Sequence, residues 1–247
     1  MNKNQNKNVL VTGASKGIGK SIAQTLVNEG YNVYICARNE DKLKETQQEI
    51  KALKYFVADL TKTDNCKELI NNVIEVAGSI DILINNAGDY VYSPIEKTEN
   101  EDIDKLIALN IRAPYLLTKY AVKNMKKNNW GRIINIGSIS GIVGEANASL
   151  YSMTKSAFTG FSKSLALELA TNNITINTIN PGWVETELAE NAVKDSDFSY
   201  EEEIEMIPQK RFIQPYEIAE LVKYLASENA KGMTGQNISL CAGLSSG

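Results

Sequence analysis

The chain has 247 residues, 43% hydrophobic and 23% charged, enough to build a sizeable core, and it carries a net charge of -4 and no histidine. Without imidazole there is no Ser-His-Asp or Cys-His nucleophile pair and no HExxH or His-rich metal site, so a general acid near neutral pH must be Tyr, Lys, Asp, Glu or Cys. The mild acidity gives no long-range pull on nucleic acid, and the scattered Cys36, Cys66 and Cys241 lack metal-ligand spacing and read as small apolar residues of a reducing cytoplasm.

Residues 1–8 are polar, lack the apolar stretch of a signal peptide, and are expected to be a frayed lead-in. No later run is long and apolar enough to span a bilayer, so a soluble cytoplasmic protein is expected. From residue 9 onward, short apolar runs alternate with longer amphipathic ones. The predicted strands are 9–12, 32–37, 55–58, 80–85, 132–136, 174–179 and 238–240, with helices near 17–29, 40–52, 64–77, 99–127, 150–171 and 215–227. Strands this apolar, each followed by a helix, call for a parallel sheet covered on both faces, a doubly wound α/β sandwich. No repeat, linker or composition shift marks a second unit, so 1–247 is expected to be one domain. Only 186–214 breaks the alternation, and it carries the acidic run Tyr200-Glu201-Glu202-Glu203-Ile204-Glu205. Inserted after the sixth strand, at the carboxyl edge of the sheet, it is placed to act as a substrate lid with its charges facing water. The other reading is a solvated helical excursion.

The first predicted strand runs into Gly13-Ala14-Ser15-Lys16-Gly17-Ile18-Gly19 and then directly into a helix. Such a turn lets backbone N–H groups and the helix N-terminus meet a pyrophosphate, although glycines also serve tight packing. The second strand closes with Cys36-Ala37-Arg38-Asn39. The acid that would hold the ribose hydroxyls of NAD is missing there. Arg38 and Lys16 can instead hold a 2′-phosphate, so NADP is expected; the alternative leaves both as surface cations.

In Tyr151-Ser152-Met153-Thr154-Lys155 the phenol and the ammonium share one helix face. The ammonium is expected to lower the phenol pKa, so that Tyr151 can exchange a proton with a carbonyl oxygen. Ser138 follows the fifth strand at the carboxyl edge of the sheet, where its hydroxyl can hold that same oxygen.

The chain resembles the short-chain dehydrogenase/reductase family over essentially its whole length. The resemblance is carried by 12–19, Asp59-Leu60, Asn85-Asn86-Ala87-Gly88, Asn110, Ser138, Tyr151 with Lys155, and Pro181-Gly182 followed by Thr186. It implies a single Rossmann-type, doubly wound sheet of seven parallel strands ordered 3-2-1-4-5-6-7, and a homotetramer built partly on the helices beginning near 99 and 150. It implies that Asn110 anchors a water relaying protons to Lys155, which also binds the nicotinamide ribose. Asp59 and Leu60 would flank the adenine, Asn86, Ala87 and Gly88 the adenosine ribose. Pro181, Gly182, Val184 and Thr186 would cover the nicotinamide. The implied catalytic set is Ser138, Tyr151, Lys155 and Asn110, and the remaining cofactor contacts fall on Gly13, Ser15, Lys16, Gly17, Ile18, Gly19 and Arg38.

The activity implied is NADPH-dependent reduction of a ketone to a secondary alcohol. Residues 129–138 and the tail 233–244 are most similar to reductases of 3-oxoacyl thioesters of fatty-acid or polyketide type. Lys126 and Lys127 stand where such enzymes dock an acyl carrier protein, but Asn172 stands where the fatty-acid enzymes often carry arginine. A coenzyme A thioester, or a free cyclic ketone, sugar or other small alcohol, therefore stays open beside the carrier-bound substrate. Tyr90, Tyr92, Trp183 and Ser138 are expected to wall the substrate pocket, with Tyr90 and Tyr92 either stacking on a flat substrate or serving a subunit interface. A nucleotide-sensing protein of the same fold would have no use for the Ser138, Tyr151 and Lys155 set.

Overall fold

The computed structural model describes residues 6–195 and 198–245. Strand β1 (Asn8–Thr12) leads through helix α1 (Gly17–Asn28) to β2 (Asn32–Ala37), α2 (Glu40–Ile50), β3 (Lys54–Val57), α3 (Thr63–Ala77) and β4 (Ile82–Asn85). The second half follows with α4 (Asn100–Leu106), α5 (Ala113–Lys127), β5 (Gly131–Ile136), the short α6 (Ser140–Val143), α7 (Ser149–Leu169) and β6 (Ile174–Pro181). Helices α8 (Glu187–Asp195), α9 (Tyr200–Met206) and α10 (Pro215–Ala226) precede β7 (Asn237–Leu240).

The strands form one seven-stranded sheet ordered β3-β2-β1-β4-β5-β6-β7, and each neighbouring pair is parallel. This is the expected order, and its reversal between β1 and β4 opens a crevice at the carboxyl edge. Along β1 the side chains alternate between two cores. Val9 and Val11 join Ile22, Leu26, Ile218 and Val222 on the side of α1 and α10, while Leu10 joins Leu69, Val73, Leu117 and Leu169 on the side of α3, α5 and α7. Around β1 both faces are therefore buried, which is why the central strands read as apolar runs, while the edge strands β3 and β7 stay partly exposed.

The boundaries fall close to those predicted, with three informative differences. First, β1 already includes Asn8, inside the expected lead-in, of which 1–5 lie outside the described residues. The Asn8 amide group donates to Ala77 O at 3.1 Å and Ser79 Oγ at 2.9 Å, so this polar residue extends the strand with its own partners.

Second, the single helix expected over 99–127 is interrupted by a π-turn, Ile107–Arg112, between α4 and α5. Pro114 stands in the first turn of α5 and has no N–H for the carbonyl four residues back, that of Asn110, so the regular ladder cannot pass. The wider turn leaves Asn110 buried, at 2% exposure.

Third, the excursion expected over 186–214 contains α8 and α9, with 196–197 outside the described residues, and a parallel bridge between Val184 and Ile213 closes its base. Ser199 and Glu202 form a reciprocal capping box that starts α9. Glu201, Glu202 and Glu205 face water as expected, but Glu203 is buried. Among the described residues no helix is long and apolar enough to cross a membrane.

Candidate active site

The crevice at the carboxyl edge holds two cavities, of about 400 and about 360 Å3, that share Ile18, Gly137, Tyr151, Thr186 and Leu188 in their walls. The first is built on the glycine turn. A Cβ on Gly13 would stand 2.9 Å from the Ala87 Cα, and one on Gly19 would stand 2.4 Å from the Gly13 carbonyl oxygen. Asn86 staples this contact by donating from Nδ2 to Thr12 O at 2.8 Å and Gly13 O at 3.1 Å. The backbone of the turn is thus pressed against 86–88. The residue preceding α1, Lys16, makes no side-chain cap, so the first amides of the helix stay open to an anion.

Gly13, Ser15, Lys16, Gly17, Ile18, Gly19, Arg38, Leu60, Asn86, Ala87, Gly88, Tyr151, Lys155 and Thr186 all line this first cavity. Lys42 lines it as well, a third cation beside Lys16 and Arg38 that sequence reasoning missed. Its signal was its place in the first turn of α2, immediately after Arg38-Asn39. Lys16 is paired with Glu187 of α8 at 2.9 Å, so one of the three cations already bridges to the 186–214 excursion. Asp59, expected at the adenine, is absent from the cavity lining. Its carboxylate accepts instead from Thr61 N at 3.0 Å and Thr61 Oγ1 at 2.7 Å, and these bonds hold its pKa below the usual carboxylate value. Pro181, Gly182 and Val184 line the second cavity rather than the first.

Tyr151 projects from α7 at the junction of the two cavities and Lys155 into the first, and both are buried. The Lys155 Nζ donates to Ile136 O at 3.0 Å and lies 5.6 Å from the centre of the Tyr151 ring. Burial pulls the Lys155 pKa down to about 8 and pushes that of Tyr151 up to about 12, with the Ser138 hydroxyl pulling the phenol back and the Glu145 carboxylate adding to the rise. The expectation that the ammonium lowers the phenol pKa is therefore corrected. The cost of desolvating phenolate outweighs any help from an ammonium turned toward a carbonyl.

Asn110 is held on three sides. Its Nδ2 donates to Asp89 O at 2.9 Å and Thr154 Oγ1 at 3.1 Å, and its Oδ1 accepts from Asp89 N at 3.0 Å. Gly88 lies between Asn110 and Lys155, since a Cβ there would be 3.3 Å from both the Asn110 Oδ1 and the Lys155 Nζ.

The second cavity is walled by Ser138, Tyr90, Tyr92 and Trp183, the four residues expected of a substrate pocket, together with Ser140, Glu145, Glu203 and Met206. The Tyr90 ring meets that of Tyr151 edge-on at 4.8 Å between centres. Ser138 donates to Ser140 Oγ at 3.1 Å, and Ser140 donates to Glu145 Oε2 at 2.6 Å. Tyr90 donates to Glu145 Oε1 at 2.6 Å. Glu145 and Ser140 were missed because they fall between Ser138 and Tyr151 on a four-residue helix and the loop after it, too short for any periodicity to assign a face.

The family model for short chain dehydrogenases matches residues 7–197. The chain belongs to the short-chain dehydrogenase family. Among the relatives of this dehydrogenase, 3-oxoacyl-[acyl-carrier-protein] reductase FabG of Staphylococcus epidermidis is 38% identical, over 97% of this chain and 99% of that protein. An uncharacterized oxidoreductase of Bacillus subtilis, YxjF, is 37% identical over 95% of this chain and 96% of its own length. Among solved structures, a variant of actinorhodin polyketide ketoreductase with NADPH superposes with a TM-score of 0.92 at 34% identity, covering 96% of this dehydrogenase and 97% of that chain. The chain is therefore an oxidoreductase, whose resemblance to the 3-oxoacyl and polyketide reductases is carried over its whole fold.

Proposed function

We propose that this short-chain dehydrogenase reduces a ketone to a secondary alcohol with NADPH, acting on a 3-oxoacyl thioester of fatty-acid or polyketide type. The observation that carries this reading is the burial of Tyr151, with Lys155 beside it and Ser138 at its hydroxyl, where the two cavities meet. The first cavity fits a dinucleotide phosphate, because the turn at Gly13 and Gly19 admits no side chains, α1 opens onto it, and Lys16, Arg38 and Lys42 surround it. When bound, the nicotinamide supplies the hydride.

The chain's own groups do the rest. Ser138 holds the substrate oxygen, and Tyr151, neutral at pH 7 because its pKa is about 12, gives that oxygen its proton. Lys155 orients the nicotinamide ribose, and its positive charge below about pH 8 favours the phenolate left behind. Asn110 and Lys155 flank the narrow space at Gly88 through which a water relays the next proton. Pro181, Gly182 and Val184 cover the nicotinamide, and Asp59 supports the adenine wall through its turn with Thr61. The segment 186–214 serves as the lid of the substrate cavity, in a single-domain enzyme. We further propose a homotetramer formed through the outer faces of α5 and α7, where Tyr115 and Leu167 stand exposed.

Tyr151→Phe is expected to lower NADPH-dependent turnover about 100- to 10,000-fold. A fully active Phe variant would remove the proposed proton donor. Substrate class is tested by following NADPH oxidation with acetoacetyl-CoA, acetoacetyl-acyl carrier protein and a panel of free ketones. Turnover of a free ketone while both thioesters stay inert would transfer the assignment to the free-ketone reading.

A further inference from the structure

We propose that Glu145 is a specificity-determining residue, which selects ketones bearing a hydrogen-bond donor, a hydroxyl or an ammonium, and rejects ketones bearing a free carboxylate. The inference rests on carbonyl reduction by Tyr151 in this cavity, as proposed above. It concerns what the substrate carries beside its carbonyl, which that reading leaves open.

Glu145 lies on the loop between α6 and α7, on the wall of the second cavity. Both of its oxygens are pinned, one by the Tyr90 hydroxyl and the other by the Ser140 hydroxyl, each at 2.6 Å. Two such bonds hold the carboxylate in one orientation without exhausting it, because each oxygen has a second lone pair. Burial and the bond to Glu145 raise the Tyr90 pKa above that of an ordinary phenol, so Tyr90 stays a donor and adds no second negative charge. The carboxylate thus presents a fixed acceptor to the ligand.

The rest of the wall makes that acceptor selective. Trp183, Met206, Val143 and the Tyr90 ring, which line the same cavity, add no positive charge to its wall. Among the described residues no lysine or arginine lines this cavity, and its other ionisable wall residue of acidic type is Glu203. Lys155 belongs to the first cavity and is turned to Ile136 O. A ligand carboxylate would meet like charge with no cation in the wall, whereas an ammonium or hydroxyl would find an acceptor already held in place. A neutral thioester passes the same filter.

The test uses four ketones on one aromatic frame: 4-acetylbenzylamine, 4-acetylbenzyl alcohol, the methyl ether of that alcohol, and 4-acetylbenzoate. Binding is measured by calorimetry at pH 7 with the full chain and NADP+, which cannot reduce them, for the wild type, Glu145→Gln and Glu168→Gln. The last variant removes the same charge from an exposed site on α7. The wild type is expected to bind the amine and the alcohol about tenfold or more tightly than the carboxylate, with the ether between. Glu145→Gln should narrow the alcohol-to-carboxylate ratio about fivefold or more, and Glu168→Gln should leave it unchanged. Equal binding of alcohol and carboxylate by the wild type, an unchanged ratio in Glu145→Gln, an equal narrowing in Glu168→Gln, or no binding of any of the four overturns the proposal. Turnover is read separately with NADPH. Selective binding without reduction of any of the ketones removes the reductase reading and keeps the selectivity; reduction without selectivity does the opposite.

Discussion

At Lys155 the fold keeps an ammonium at 6% exposure with one hydrogen bond, to a backbone carbonyl. The unfolded chain binds that proton up to about its ordinary pKa of 10.5, the folded chain only up to about 8. The penalty is complete below pH 8, and stability rises as pH climbs from about 8 to 10.5, where the unfolded state holds more protons. Lys155→Met is therefore expected to raise stability at pH 7 by on the order of 1–3 kcal/mol while turnover collapses, and the gain should shrink toward pH 10.5 in a calorimetric series. A lower midpoint at pH 7 would mean that the bond to Ile136 outweighs the burial. The same shift predicts an alkaline limb near pH 8 in the reductive pH–rate profile, from loss of the Lys155 charge, with the phenol staying protonated up to about 12. Arg38 is tested by Arg38→Ala, which should raise the NADPH KM about 10- to 100-fold and that of NADH by less than about twofold, since only the former carries the extra phosphate. Equal losses would contradict the NADP preference, since the contact would then be to a part common to both cofactors.

The elements that matter most are those that depart from regularity. The apolar periodicity over 99–127 reads as one helix, and it is, apart from the turn where Pro114 withholds an N–H and Asn110 is turned into the interior. Proline was the legible signal; which residue the wider turn would bury was not, because that depends on where Asp89 and Thr154 offer partners. In the same way the acidic run at 200–205 reads as charge facing water, yet the helix it forms carries Glu203 inward. Ser199→Ala removes the capping box of α9 and should cost that helix about 1 kcal/mol. If 186–214 acts as the lid, substrate KM rises in this variant while NADPH KM holds. A matched rise in both would tie α9 to the cofactor side, through α8 and its Glu187–Lys16 pair.

For the molecule as a whole, the surface of the isolated chain leaves Leu167 at 84% exposure and Tyr115 at 55%, on α7 and α5. These two exposed apolar side chains are the observation behind the partner surface proposed above. If the proposed tetramer forms through this surface, Leu167→Glu shifts the sedimentation coefficient to that of a smaller species, and an unchanged coefficient would count against that interface. The parallel sheet covered on both faces and the shared helix face of Tyr151 and Lys155 were legible in the sequence itself, whereas the strand order followed only from the family resemblance. Strand and helix periods, glycine spacing and the four-residue step are local properties, set within a turn or two of chain. Whether Asp59 reaches the cavity, whether burial or the ammonium governs Tyr151, and whether Glu145 meets Tyr90 and Ser140 were decided only by the tertiary structure. Desolvation and hydrogen-bond partnership depend on groups brought together from distant stretches, such as Tyr90 with Glu145 and Gly88 with Lys155, and no local pattern records those meetings.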